Sequence, residues 1–186
     1  MKIAVFGGSF DPVHIGHKAV VDTALKNLDI NSLIIVPTYL NPFKNSFYFE
    51  PKVRFSLLEK VFLDYEKVIL SDYEINKQKP CYSYDTVVYL KNKYQASKVY
   101  FIIGEDNLQS LDKWHKIEEL KGEVEFVVAK RSNLSKDILK DYKVLDIDVK
   151  ISSTNLRQSL NLDFIPNAIK DDILKLQKKE KIWIQE

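Results

Sequence analysis

Short, almost unbroken apolar runs separated by helix-period segments are what most constrain this chain. Residues 2–6, 32–36, 99–103 and 124–129 are dominated by Val, Ile, Leu, Phe and Ala. A strand with one wet face alternates apolar and polar residues, whereas a strand of a parallel sheet covered on both faces does not. Weaker strand patterns occupy 67–70 and 143–147. Helical patterns fall between the strands at 14–28, 51–63, 84–94 and 107–120. Pro51 suits the first turn of its helix, where a missing N–H costs nothing. Alternation of this kind predicts a doubly wound, Rossmann-like α/β fold with a parallel sheet. Two later segments break the rhythm: 154–160 reads as a short helix, and 167–179 as an amphipathic one through Ile169, Ile173, Leu174 and Leu176. Ile182, Trp183 and Ile184 then supply apolar residues for packing rather than chemistry. The expectation is a single domain over 1–186, with a sheet core at 1–150 and a small helical C-terminal part at 151–186.

Charge excludes several partners. Lys and Arg number 28 against 26 Asp and Glu, so no global field draws the chain to nucleic acid or an anionic membrane. Any anion must be held by local geometry. The one cysteine, Cys81, allows no intramolecular disulfide and no CxxC metal or redox site. Gly7-Gly8 cuts off the first apolar run too early for a signal-peptide core, and no run approaches the ~20 residues of a membrane span. A cytoplasmic location follows by default.

Open sheets of this class bind ligands at the carboxyl ends of their strands, where strand order reverses. Gly7-Gly8-Ser9-Phe10 stands at the end of the first strand. Glycines there let the backbone approach a phosphate with its N–H groups exposed, and the helix that follows offers more of them at its positive end. Pro12 limits the backbone before that helix. His14 and His17, two of three histidines in the chain, share one helical face and can converge on one anion. A metal pair is the competing reading, but no third Cys, His or carboxylate falls on the same face, so phosphate contact is preferred. Neither G-x-x-x-x-G-K-[ST] nor G-x-G-x-x-G is present, which disfavours a P-loop enzyme or a dehydrogenase.

Gly7 to His17 resembles the GxFxPxHxGH motif of the nucleotidylyltransferase superfamily, which is related to the class I aminoacyl-tRNA synthetases. His14-Ile15-Gly16-His17 would also suit a synthetase, but 186 residues leave no room for an anticodon-binding domain and no KMSKS-type loop occurs. Near the C-terminus, Ile151-Ser152-Ser153-Thr154-Asn155-Leu156-Arg157 is similar to the superfamily's ISSTxxR element. There the hydroxyls and the arginine hold the β- and γ-phosphates of the nucleotide. Ser and Thr also make good helix N-caps, and a guanidinium fork matches phosphate geometry.

Four further stretches resemble the bacterial nicotinate-mononucleotide adenylyltransferases. PTYLNPFK, Pro37 to Lys44, matches a P-x-x-x-x-P-H-K segment, with Lys44 at its basic position and Phe43 where histidine is usual. Cys81-Tyr82-Ser83-Tyr84-Asp85-Thr86 is similar to S-Y-T-x-D-T, in which the threonine lies near the nicotinate carboxylate. Phe101 to Leu108 resembles F-I-I-G-x-D-x-L, with Gly104 at the strand end and Asp106 placed to accept both ribose hydroxyls. Trp114-His115 takes the place of a W-[YHK] pair, whose indole can stack on a pyridine ring.

The resemblance implies adenylyl transfer from ATP to nicotinate mononucleotide, giving deamido-NAD and pyrophosphate. His14, His17 and Arg157 would be the catalytic charge stabilisers. Gly7, Gly8, Ser9, Phe10, Gly16, Ser152, Ser153, Thr154, Gly104 and Asp106 would bind ATP. Lys44, Thr86, Asp106, Trp114 and His115 would bind the mononucleotide. Mg²⁺ is expected to arrive with ATP, since no carboxylate cage is evident. Alternatives are a phosphopantetheine or flavin mononucleotide adenylyltransferase, an idle nucleotide sensor, and an RNA-binding relative of the synthetases. The last conflicts with the near-neutral charge.

Overall fold

A computed structural model describes residues 1–42, 44–132, 136–149, 151–159 and 161–180. Phe43 and the apolar Ile182, Trp183 and Ile184 lie outside these residues. Six strands form one sheet: β1 (Lys2–Gly8), β2 (Ser32–Pro37), β3 (Val68–Leu70), β4 (Lys98–Gly104), β5 (Glu125–Lys130) and β6 (Lys143–Asp146). Their order is β3-β2-β1-β4-β5-β6, and every pairing is parallel. β1 is therefore the switch point, with Val5 opposite Ile34 on one side and Phe101 on the other.

Alternate side chains of the apolar strands feed two separate cores, as period-two geometry requires. Ala4, Phe6, Leu33, Ile35, Tyr100, Ile102 and Val127 belong to one. That side is covered by α1 (Ile15–Asn27) and α2 (Pro51–Val61), and the C-terminal residues Leu156, Ile165, Ile169 and Ile173 are buried against the same core. Ile3, Val5, Ile34, Val36, Val99, Phe101 and Val128 belong to the other. Val87 and Leu90 of α4 (Ser83–Lys93), Leu120 of α5 (Ile117–Glu123) and Leu139 of α6 (Lys136–Leu139) cover it. The doubly wound expectation holds, and the C-terminal part is helical, with α7 (Ser153–Ser159) and α8 (Lys170–Glu180).

Three local departures matter for function. Residues 107–120, expected as one amphipathic helix, form instead a 3₁₀ helix over Glu105–Lys113 and then α5. Trp114 is extended between them (φ −72°, ψ 143°) and Lys116 is left-handed (φ 53°). The apolar residues Leu108, Leu111, Trp114, Ile117 and Leu120 recur every third residue, and all pack on one core. That is the period of a 3₁₀ helix rather than an α-helix. A short helix, α3 (Tyr73–Lys77), was not expected and places Glu74 beneath the cavity. α6 was likewise unexpected. Among the described residues no helix is long and apolar enough to cross a membrane.

Candidate active site

A cavity of about 770 Å³ opens at the carboxyl ends of β1, β2, β4 and β5. Its phosphate-like end begins where β1 gives way to α1. The Asp11–Pro12 peptide is cis, and Phe10 is held at φ 48°, an uncommon conformation for a residue with a side chain. The Phe10 ring is 1% exposed; it meets Phe6 edge-on at 5.3 Å and lies 4.8 Å from the His17 ring. Phe10 thus supports His17 from below.

His14 caps α1, and the two histidines cap it reciprocally. The His14 N–H donates to His17 Nδ1 at 3.2 Å, and the His17 N–H donates to His14 Nδ1 at 3.3 Å. Their rings stack with centroids 3.7 Å apart. Since both Nδ1 atoms accept, each neutral ring carries its proton on Nε2. Burial, with Arg131 nearby, lowers the His14 pKa to about 3. Burial, then His14 and Arg131, hold His17 well below the ordinary imidazole range. The pair is therefore two fixed, neutral N–H donors rather than an acid and a base.

The 151–157 segment meets this turn directly. Ser153 Oγ donates to the Pro12 carbonyl at 3.2 Å, and Ser152 Oγ accepts from the Asn155 N–H at 3.2 Å as an N-cap. Gly16 is where the two pieces touch: a Cβ there would sit 2.9 Å from Ile151 Cγ2 and 3.0 Å from the His14 ring. Arg157 lies behind the wall rather than on it. Its guanidinium donates to the Asp11 carbonyl at 2.6 Å and to Thr154 Oγ1 at 3.2 Å, and lies over the Tyr48 ring at 5.2 Å. Lys44 is exposed at the cavity mouth; desolvation, then Arg157, draw its ammonium below the ordinary range.

The other predicted residues line the same cavity. Asp106 pairs with Arg131 at 3.1 Å, and a Cβ on Gly104 would run into the Asp106 carboxylate. At the far end Thr86 stands in the first turn of α4, Trp114 meets Phe101 edge-on at 6.2 Å, and His115 stacks on Tyr82 at 4.3 Å. The Trp114 indole N–H and the Thr38 hydroxyl are buried without partners among the described residues. Among those residues no three His, Cys, Asp or Glu are grouped to hold a metal.

Four supporting residues escape the sequence patterns. Arg54, wholly buried, donates to the carbonyls of Ser9, Thr38, Tyr39 and Phe49, tying the β1 and β2 turns to α2. Asp11 accepts from the Tyr48 and Phe49 N–H groups and closes the same loop. Arg131 also donates to the Ile151 carbonyl at 2.9 Å. Glu74 accepts from Thr86. A charged residue within an apolar helical stripe, as at Arg54 beside Leu57, Leu58 and Val61, is the one visible hint.

Comparison with known proteins decides among the alternatives. Residues 5–159 match the cytidylyltransferase-like family. A protein of Aliarcobacter butzleri is 62% identical over 97% of this chain and 100% of its own length. One of Nitratiruptor is 47% identical over 96% and 99%. Both carry the name "Probable nicotinate-nucleotide adenylyltransferase". The chain belongs to the nicotinate-nucleotide adenylyltransferase family. Its fold matches that of the Plasmodium falciparum nicotinic acid mononucleotide adenylyltransferase complexed with NaAD, with a TM-score of 0.80 at 24% identity over 95% and 96% of the two chains. The same parasite protein complexed with APC gives 0.78 at 22% identity, over 100% and 99%. In this adenylyltransferase the cavity thus lies at the switch point of the family's sheet, with every predicted site residue except Arg157 on its wall.

Proposed function

We propose that the chain transfers the adenylyl group of ATP to the 5′-phosphate of nicotinate mononucleotide, releasing pyrophosphate and forming deamido-NAD. One observation carries this reading: a single cavity joins the His14–His17 pair to an aromatic end at Thr86, Trp114 and His115. A phosphate oxygen of the mononucleotide attacks the α-phosphorus, the new P–O bond forms in line, and the bond to the β-phosphate oxygen breaks as pyrophosphate departs. The nucleophile is already an anion, so no general base is needed. Alignment and charge stabilisation do the catalytic work.

Within this reading His14 and His17 donate from Nε2 to the triphosphate, with His17 nearest the α-phosphate. Gly7, Gly8, Ser9, Gly16, Ser152, Ser153 and Thr154 shape and line the phosphate end. Lys44 and Arg157 offset further charge. Asp106 accepts from a ribose. The Trp114 face receives the pyridine ring, Thr86 its substituent, and His115 closes the rim. Mg²⁺ would fit as a companion of ATP, because among the described residues no three His, Cys, Asp or Glu are grouped to hold it by themselves. It would supply positive charge to the triphosphate. We also read 1–186 as one domain, since Ile165, Ile169 and Ile173 are buried in the same core as β1 and β2. We assign it to the cytoplasm. Incubation with ATP and nicotinate mononucleotide is expected to yield one deamido-NAD per pyrophosphate. Pyrophosphate appearing without that dinucleotide would overturn the assignment.

A further inference from the structure

Beneath the aromatic end of the cavity lies an acid that the phosphate chemistry does not use. Glu74 on α3 is 5% exposed and lines the cavity. Its Oε1 accepts from the Thr86 hydroxyl at 2.7 Å, while Oε2 is buried without a partner among the described residues. Burial raises its pKa to about 7, against the lowering influence of the Thr86 hydroxyl. Donors gather around the same place. α4 begins at Ser83 with no side-chain cap on its leading N–H groups, and the Trp114 indole N–H is buried without a partner among the described residues. An aromatic ring bearing an acceptor substituent fits this end.

Thr86 has one hydroxyl proton to give. When Glu74 is ionised its carboxylate takes that proton, and Thr86 offers only lone pairs to the cavity. A carboxamide N–H can satisfy them. A carboxylate ligand cannot, and it would lie within the roughly 4–6 Å over which like charges disfavour each other. When Glu74 is protonated, its own O–H can donate to Thr86 Oγ1, which frees the threonine proton for a carboxylate. On the reading that this cavity takes a pyridine mononucleotide, we propose that Glu74 is a positioning residue for acceptor specificity. By holding or releasing the Thr86 proton, it makes the choice of carboxylate over carboxamide depend on pH.

The other titratable groups around it are Tyr73 and Lys77 on α3, Lys79, Cys81 and Tyr82 in the connection, and Asp85 and Tyr89 on α4. The cavity wall also carries Lys44, Asp106, Lys113, His115 and Arg131. Neither oxygen of Glu74 is hydrogen-bonded to any of these, and Thr86 is its partner.

The test compares pyrophosphate release by wild type and Glu74→Gln from pH 6 to 9, with ATP and either nicotinate or nicotinamide mononucleotide. The two acceptors carry the same 5′-phosphate, so the ratio of their kcat/KM values cancels titration at the phosphate end. In wild type the nicotinate-to-nicotinamide ratio should fall at least ~10-fold across this range, through the KM of the mononucleotides and not that of ATP. In Glu74→Gln the ratio should stay flat, near the acid-side value of wild type. Thr86→Val removes the hydroxyl through which Glu74 acts and should flatten the ratio at a lower value. A wild-type pH slope retained in either variant, or a ratio independent of pH in wild type, overturns the proposal alone. Wild type releasing pyrophosphate with neither pyridine mononucleotide overturns the functional reading and the proposal with it.

Discussion

At the scale of single residues, the histidine pair shows how protonation state follows from placement. Reciprocal backbone contacts occupy both Nδ1 atoms, and burial keeps the rings neutral, so each presents one fixed Nε2–H. Preorganised donors of this kind act on the charge that develops in the transition state. Steady-state kinetics of His17→Ala should show kcat lowered ~10²–10³-fold with a smaller change in KM. Turnover near wild type would remove His17 from that role. Glu74 makes a different prediction, on stability. Its folded pKa of about 7 lies above the ordinary 4.5, so the folded state keeps a proton that the unfolded chain releases. The stability this contributes is present below about pH 4.5 and is lost as pH rises to about 7. Glu74→Gln escapes that loss. Thermal melts should show it gaining on wild type between pH 5 and 8, by up to about 3 kcal/mol. A difference that does not grow with pH would show that Glu74 is ionised in the fold throughout. The two histidines were legible in the sequence because their spacing and motif are local. Glu74 and Arg54 were not, because their partners, Thr86 and the carbonyls of Ser9 and Thr38, lie 12 to 45 residues away.

At the scale of elements, the phosphate end depends on two segments from opposite ends of the chain meeting at Gly16. The 151–154 segment reaches the β1–α1 turn through Ser153 and Ile151. Gly16→Ala inserts a methyl where Ile151 and the His14 ring leave no space. Overpacking of this kind costs typically about 1–3 kcal/mol. Part of that cost should fall on the docking of the two segments, so KM for ATP should rise about tenfold while the mononucleotide KM moves less. Equal effects on both substrates would mean that the contact does not belong to the nucleotide end. Most strands and the longer helices were readable from apolar period and punctuation. The segment after β4 was not, because apolar residues at every third position suit a 3₁₀ helix and one face of an α-helix alike. Leu108 and Leu111 fall in a 3₁₀ helix that ends at Lys113, before the extended Trp114, and the break brings Trp114 and His115 to the cavity.

At the scale of the whole molecule, the two apolar cores follow from continuous hydrophobic strands, and the order of those strands sets the cavity at the switch point. On the proposed function the phosphate end is shared chemistry and the opposite end discriminates. There Thr86, Trp114 and Glu74 line the cavity beside the stacked Tyr82 and His115, a lining suited to a flat ring bearing an acceptor substituent. A pantetheine arm would leave the indole face and the α4 donors unpaired, and a flavin would have to place three fused rings there. On the proposed function, this end selects a pyridine mononucleotide. The most direct test of that selection is kcat/KM for pyrophosphate release from ATP across four acceptors: nicotinate mononucleotide, nicotinamide mononucleotide, phosphopantetheine and flavin mononucleotide. Nicotinate mononucleotide at pH 6–7 should exceed phosphopantetheine and flavin mononucleotide by at least ~10³-fold, as unpaired buried donors demand. Comparable or faster turnover with either of those two would contradict the account.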